Sequence, residues 1–203
     1  MYIVCSDLEG VFVPEIWVNV SRHTGIDELK LTTRDISDYN LLMHRRLELL
    51  HKYGLTLRDV QNVISLLKPL PGALEFVDWL RTKTQLIVVS DTFTEFAEPL
   101  IRQLGRPTLL CHHLTTDKEG NITDYNLRQE DAKKRVVEAF QTLNYKVIAI
   151  GDSYNDISML RKADHGILYN PPQNVADEHN DLKVIKTYLS LKRFISQIIQ
   201  CEE

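Results

Sequence analysis

The chain of 203 residues has little cysteine, no long apolar run and no block of a single charge. Its three cysteines, Cys5, Cys111 and Cys201, are widely separated and show no C-x-x-C spacing. An odd, scattered set excludes a disulfide framework and points to a reducing compartment. Cys5 and Cys111 fall in apolar runs and read as buried thiols. No segment approaches the ~20 apolar residues of a membrane span, and the start MYIVCSDLEG has no basic residues leading into a long apolar stretch. The expectation is a cytoplasmic protein with no membrane partner. Lysine and arginine number 24 against 28 acidic residues, evenly mixed, for a net charge of -4. Without a basic patch or aromatic-basic interleaving, a nucleic-acid partner is not expected. The seven histidines form no zinc spacing with the cysteines, and His112 and His113, adjacent on a strand, would point to opposite sides. No G-x-x-x-x-G-K-[ST] loop is present, and Gly151 begins no dinucleotide fingerprint.

What remains is an ordinary globular composition, 43% hydrophobic and 26% charged, enough for one domain with a substantial insertion or two small ones. Tyr2 to Ser6 is a short β-rich run. Helices are predicted from about Glu15 to Thr24, ended by Gly25, from Leu41 to Tyr53, and from Leu57 to Leu67. Thr56 is the N-cap of the last of these, with Asp59 completing an imperfect capping box. Lys68-Pro69-Leu70-Pro71-Gly72 then breaks the pattern, so the stretch from Pro14 to Lys68 reads as a small helical insertion. Beyond it strands and helices alternate. Strands are predicted at 85–90, 107–112, 146–150 and 166–169, with an edge strand at 184–186 and a hairpin within 115–127. Helices are predicted at 73–81, 94–103, 131–143, 154–161 and 189–200. Alternation at this spacing marks a three-layer α/β core with right-handed crossovers.

In such a core the chemistry gathers beyond the carboxyl ends of the strands. Asp7-Leu8-Glu9-Gly10-Val11 follows the first strand, and Gly151-Asp152-Ser153-Tyr154-Asn155-Asp156 follows a late one. Carboxylates gathered there repel each other and need a cation. Asp7 is a suitable nucleophile toward phosphorus, because an acyl phosphate divides one hard displacement into two easier ones, and a hard oxygen ligand for magnesium. Glu9, two residues on, reaches the same side and suits proton transfer. Gly10 leaves room for backbone amides to face phosphate oxygens. Ser90, ending the strongest strand, offers a hydroxyl to a phosphate oxygen without adding charge. Lys133 and Lys134 open a helix; one cation is needed to offset growing charge, and Lys133 is favoured. Asp152 stands where a magnesium ligand would, Asp156 one turn on can support the metal shell or orient the lysine, and Asn155 can bond the loop or that shell. Any of these clusters alone would also suit a turn or a cap. Their shared position at strand ends is what makes a single phosphoryl-transfer site.

The order Asp-x-Glu-Gly-Val, strand-end Ser, helix-start Lys and Gly-Asp-Ser-x-Asn-Asp resembles the four motifs of the haloacid dehalogenase-like phosphatases. The likeness runs over essentially the whole chain and is greatest to the phosphoserine phosphatase branch, including bifunctional phosphoserine:homoserine phosphotransferases. The resemblance implies a three-layer Rossmann-like core (residues 1–13 and 69–203) with a mainly parallel sheet, and a helical cap (14–68) inserted after the first catalytic loop. It further implies Mg2+ as cofactor, an aspartyl-phosphate intermediate, a homodimer and a place in serine or threonine biosynthesis.

Carried over by residue, the resemblance makes Asp7 the nucleophile and Glu9 the acid/base, with the Glu9 main-chain carbonyl also a metal ligand. Ser90 and Lys133 bind phosphate, Asp152 binds magnesium with Asp7, and Asp156 supports the shell; Gly10, from its own reading, joins the phosphate-binding set and Asn155 the metal-shell support. Glu15 and Arg46 match the cap residues that read the ammonium and carboxylate of phosphoserine. An arginine suits a carboxylate in a closed site, but the residues alone do not select Arg46 over Arg45. Two positions depart from the pattern: Glu9 stands where most such phosphatases carry Asp, and Asp91 where they carry Gly.

The expected activity is magnesium-dependent hydrolysis of O-phospho-L-serine, with phosphoryl transfer to L-homoserine as a second exit from one intermediate. The alternatives are a phosphatase for another small phosphomonoester and a non-catalytic phospho-ligand binding protein on the same scaffold.

Overall fold

The computed structural model describes residues 1–200 apart from 33, 34 and 37, so Cys201 lies outside the described residues. Strand β1 (Tyr2–Ser6) is followed by helices α1 (Ile16–Thr24), α2 (Tyr39–Lys52) and α3 (Leu57–Ser65). Then come α4 (Ala73–Arg81), β2 (Gln85–Phe93), α5 (Thr94–Gln103), β3 (Thr108–Thr116) and β4 (Ile122–Asn126). The chain closes with α6 (Ala132–Thr142), β5 (Lys146–Gly151), α7 (Ile157–Lys162), β6 (His165–Tyr169), α8 (Gln173–Glu178), β7 (Lys183–Ile185) and α9 (Tyr188–Gln200).

The strands form one seven-stranded sheet in the order β4-β3-β2-β1-β5-β6-β7. Every pairing is parallel except β3 with β4, which is antiparallel. After β1 the chain moves to one side, to β2; after β5 it moves to the other, to β6. The sheet therefore has its switch point between β1 and β5, where a parallel sheet opens a crevice for ligands.

Both faces of the sheet are covered, as the apolar strands require. On one face Val4, Val88, Ile148 and Ile150 pack in a cluster with Phe76 of α4, Leu100 of α5 and Leu191 of α9. On the other, Cys5, Val89, Val147 and Ala149 meet Val136 and Val137 of α6, Leu160 of α7 and Val175 of α8. Successive residues of β1 thus serve opposite layers, which is the period of two expected of a strand. Val20, Val60 and Ile64, from α1 and α3, extend the first cluster.

The Tyr188 hydroxyl donates to the Val11 carbonyl, and its ring stacks 4.9 Å from Tyr169 and 5.1 Å from Phe76. The last helix is thereby tied to the loop that leaves β1. Thr56 and Asp59 form a complete capping box at α3, and Gly25 ends α1 in the left-handed conformation at φ 71.

Three elements differ from expectation. Strand β2 continues through Asp91 and Thr92 to Phe93, because a register shift after Val89 lets Phe93 pair with His112. Strand β3 runs on to Thr116 and is itself the first arm of the hairpin, with the turn at Asp117 held by the Asn121 main-chain N–H on the Asp117 carboxylate at 2.8 Å. The predicted helix at 154–161 starts as a short 3₁₀ turn at Tyr154–Asp156, capped by Ser153, before α7 begins.

Candidate active site

At the carboxyl end of β1, Asp7 keeps the sheet pairing through its main-chain N–H to Ile150 at 2.9 Å while its side chain enters the crevice. Asp7 Oδ1 accepts the Leu8 N–H at 2.7 Å, and Oδ2 lies 2.8 Å from Lys133 Nζ. Lys133, only 2% exposed on the first turn of α6, also donates to Asp156 Oδ1 at 2.7 Å. Asp156 is fully buried, and its second oxygen accepts the main-chain N–H groups of Asp152 at 2.9 Å and Ser153 at 3.1 Å. Asp156 therefore fixes both the lysine and the turn that carries Asp152. Lys134 is partly exposed, 4.0 Å from Asp131, so of the two lysines it is Lys133 that enters the crevice.

One oxygen each of Asp7, Asp152 and Asp156 lies within 4.8 Å of the others. With a single lysine among three buried carboxylates, the charge is unbalanced. Burial, then repulsion from Asp156, pushes the Asp7 carboxyl well above the usual carboxylate range, although Lys133 opposes this. A hard divalent cation held by Asp7 and Asp152 fits this donor set and would supply the missing positive charge. Asp156 already accepts three hydrogen bonds, from Lys133 and from the main-chain N–H groups of Asp152 and Ser153.

Two glycines make the close approach possible. Gly10 has φ +73, and a Cβ there would fall 2.3 Å from Cγ of Asp152. At Gly151 a Cβ would fall 2.4 Å from Cβ of Asp156. Gly10's own N–H donates to the Val13 carbonyl at 2.9 Å, and the space a Cβ would take at this position is filled by the Asp152 carboxylate.

Asp7, Glu9, Ser90, Lys133 and Asp152 line one cavity of about 110 Å³, together with Glu15, Trp17 and Arg46 from the region of α1 and α2. That is well below the ~300–1,000 Å³ of drug-sized sites. Glu9 Oε2 accepts the Ile16 N–H at 2.7 Å at the start of α1. Burial and the neighbouring Glu15 push the Glu9 carboxyl up to about 8. Ser90 Oγ accepts the Thr92 N–H at 3.3 Å, leaving its own O–H available as a donor. Arg46 is buried, whereas Arg45 is partly exposed and lies 3.8 Å from Glu28. The Arg46 guanidinium sits 4.5 Å over the Trp17 ring and donates from Nη2 to the Leu31 carbonyl at 2.7 Å. Its Nε is buried without a hydrogen-bond partner, and burial lowers the group to about 10, still cationic near neutrality.

The family follows from this frame. A family model of haloacid dehalogenase-like hydrolases matches residues 12–164. The chain belongs to the haloacid dehalogenase-like hydrolases. This hydrolase is 55% identical over 193 residues to the phosphoserine phosphatase ThrH of Pseudomonas aeruginosa, covering 95% of the chain and 94% of that protein. It is 54% identical over 191 residues to a phosphoserine phosphatase of Pseudomonas syringae pv. tomato, covering 94% and 81%. Among solved structures, a phosphoserine phosphatase in apo form superposes with a TM-score of 0.74 at 23% identity, over 91% of the chain and 94% of that structure, a likeness of fold.

In this hydrolase, Trp17 of α1 carries the Arg46 guanidinium, which its sequence position does not reveal. A helix aromatic looks the same in sequence whether it fills a core or carries an arginine. Asn155 turns to Asp91, donating from Nδ2 to Oδ2 at 2.7 Å, and its own Oδ1 accepts the Ser153 hydroxyl. Cys5 and Cys111 are buried free thiols, with burial pushing Cys5 up to about 12. Among the described residues no helix is long and apolar enough to cross a membrane.

Proposed function

We propose that this hydrolase cleaves O-phospho-L-serine through an aspartyl phosphate on Asp7, with magnesium held by Asp7, Asp152 and the Glu9 main-chain carbonyl. The observation that carries the reading is the cavity itself. Arg46, with an unpartnered buried Nε, and Glu15 face the same small space as Asp7 and Lys133. A carboxylate and an ammonium have complementary partners at one end, and a phosphate has them at the other. The names of the two Pseudomonas relatives agree with this choice of substrate.

In the forward step Asp7 attacks phosphorus and the P–O bond to the serine oxygen breaks. Asp7 is oriented by the Leu8 N–H on one oxygen and by Lys133 on the other. Lys133 and the Ser90 hydroxyl offset charge on the phosphoryl oxygens. Glu9, raised to about 8, carries a proton near neutral pH and gives it to the departing serine alkoxide. In the second step the Glu9 carboxylate takes a proton from water as the water oxygen attacks phosphorus, releasing phosphate and restoring Asp7. When bound, the magnesium ion supplies positive charge against the phosphate oxygens.

The helices of residues 14–68 form the cap that holds the amino acid end, with Arg46 stacked on Trp17 and Glu15 beside α1. L-homoserine in place of water would yield O-phosphohomoserine by the same second step. That branch, like a homodimer, rests on the sequence resemblance.

The test is to incubate purified protein with L-phosphoserine and magnesium, with and without L-homoserine, and to follow phosphate and O-phosphohomoserine together. Asp7→Asn and chelated samples serve as controls. Phosphate release lost in both controls supports the reading. No turnover of phosphoserine, with turnover of another small phosphomonoester, replaces the substrate. Metal-dependent binding without release of phosphate from any ester makes the protein a binder.

A further inference from the structure

Asp91 lines the same cavity, and with His112 it forms an arrangement that the reaction above does not use. Asp91 follows Ser90 in β2, and its Oδ2 lies 3.6 Å from Lys133 Nζ while accepting the Asn155 amide. Its Oδ1 lies 3.7 Å from Nε2 of His112, an electrostatic contact longer than a hydrogen bond. His112 is 3% exposed on β3. Its other ring nitrogen, Nδ1, accepts the main-chain N–H of Arg128 at 3.1 Å.

A backbone amide only donates, so Nδ1 carries no proton and the ring proton of neutral His112 sits on Nε2, facing Asp91. The Arg128 contact also reaches the lysine by a second route. Arg128 belongs to the loop that enters α6, and Lys133 stands on the first turn of that helix. One imidazole thus braces the carboxylate facing Lys133 and the backbone that delivers Lys133.

The need for such a brace follows from charge. Asp91 is a further carboxylate at a site meant for a phosphate dianion. Burial alone would raise its pKa, but Lys133, His112 and Asn155 outweigh burial and hold it below the usual carboxylate range, so it stays ionised. Unbraced, this anion would be repelled by the phosphate and would compete with Asp7 for Lys133, which stands 2.8 Å from Asp7 and 3.6 Å from Asp91.

We propose that Asp91 and His112 are a coupled pair of positioning residues that hold Lys133 between Asp7 and Asp156. The proposal rests on the phosphatase reading of the site. It assigns neither residue contact with the reacting atoms.

The experiment is a double-mutant cycle on the full chain with magnesium, measuring kcat and KM on L-phosphoserine and on p-nitrophenyl phosphate. Asp91→Asn keeps the shape of the side chain and removes its charge. His112→Asn keeps an acceptor where Nδ1 stands, and His112→Gln keeps a donor where Nε2 stands. Each of Asp91→Asn and His112→Asn is expected to lower kcat and kcat/KM together, by about 10- to 100-fold. The double variant should be little worse than the poorer single one, because both act through the same lysine. His112→Gln should recover part of the loss.

Asp91→Asn within about twofold of wild-type kcat, or fully additive losses in the cycle, would overturn the proposal. So would variants that lose thermal stability but keep kcat per folded molecule. If phosphoserine proves inert, the aryl ester still runs the cycle, so an error in substrate is separable from an error in this pair. The ring 15N signals of His112 need no turnover at all: a proton on Nε2 alone is expected, and one on Nδ1 contradicts the arrangement.

Discussion

Gly10 and Asp152 cannot both keep their places if residue 10 gains a side chain. The Cβ would stand 2.3 Å from the Asp152 Cγ, on a backbone already at φ +73. The glycine after the first acidic motif is therefore a steric condition for the carboxylate of the last one, across 142 residues of sequence (152 − 10).

Gly10→Ala is accordingly expected to displace Asp152 more than to unfold the chain. The strained φ costs on the order of 1 kcal/mol. The half-saturating magnesium concentration should rise at least about tenfold, as for a loss of support at a metal ligand. A magnesium titration of initial rates checks it, with circular dichroism to confirm folding. An unchanged magnesium requirement would show that Asp152 does not hold the metal.

Arg46 and Trp17 should act together on substrate selectivity. Arg46→Ala removes a charged partner for the substrate carboxylate, worth about 1.5–3 kcal/mol and hence roughly 10- to 150-fold in kcat/KM for phosphoserine. Trp17→Leu takes away the platform 4.5 Å beneath the guanidinium and is expected to shift the same quantity in the same direction, by less. Neither should matter comparably for p-nitrophenyl phosphate, which lacks the carboxylate. Equal losses on both esters would place Arg46 outside substrate recognition.

That the motif loops meet in one crevice was legible because each follows a strand or opens the next helix, and strand ends are marked by where an apolar run stops. Lys133 is favoured over Lys134 from its place in the set. Burial separates them, since one side chain turns into the crevice and the other stays partly exposed. Arg46 and Arg45 differ in the same way. Strand β2 overran its apolar run because pairing of Phe93 with His112 continues the sheet past polar Asp91 and Thr92. The contact of Asp91 with His112 exists only once β2 and β3 are side by side, and no local spacing announces it.

The pH dependence of stability should carry the mark of Glu9. Its carboxyl is raised from an ordinary 4.5 to about 8 in the folded protein, so the folded state keeps a proton that the unfolded state gives up. Its contribution to stability is full below pH 4.5 and is lost progressively as pH rises through about 8. Asp7 is raised as well, so the comparison must be made against Glu9→Gln, which keeps Asp7. In chelator, thermal melts between pH 5 and 9 should fall more steeply for wild type than for Glu9→Gln. Parallel curves would mean that Glu9 is not protonated in the folded protein near neutrality.

The most direct measurement is to trap the intermediate. Protein mixed with L-phosphoserine and magnesium is quenched in acid within one turnover, and the acyl phosphate is reduced with labelled borohydride, which leaves homoserine at the residue that carried phosphate. Peptide mapping should place the label at Asp7, with none in Asp7→Asn. Label at any other residue, or none while phosphate is being released by wild type, would contradict Asp7 as the nucleophile.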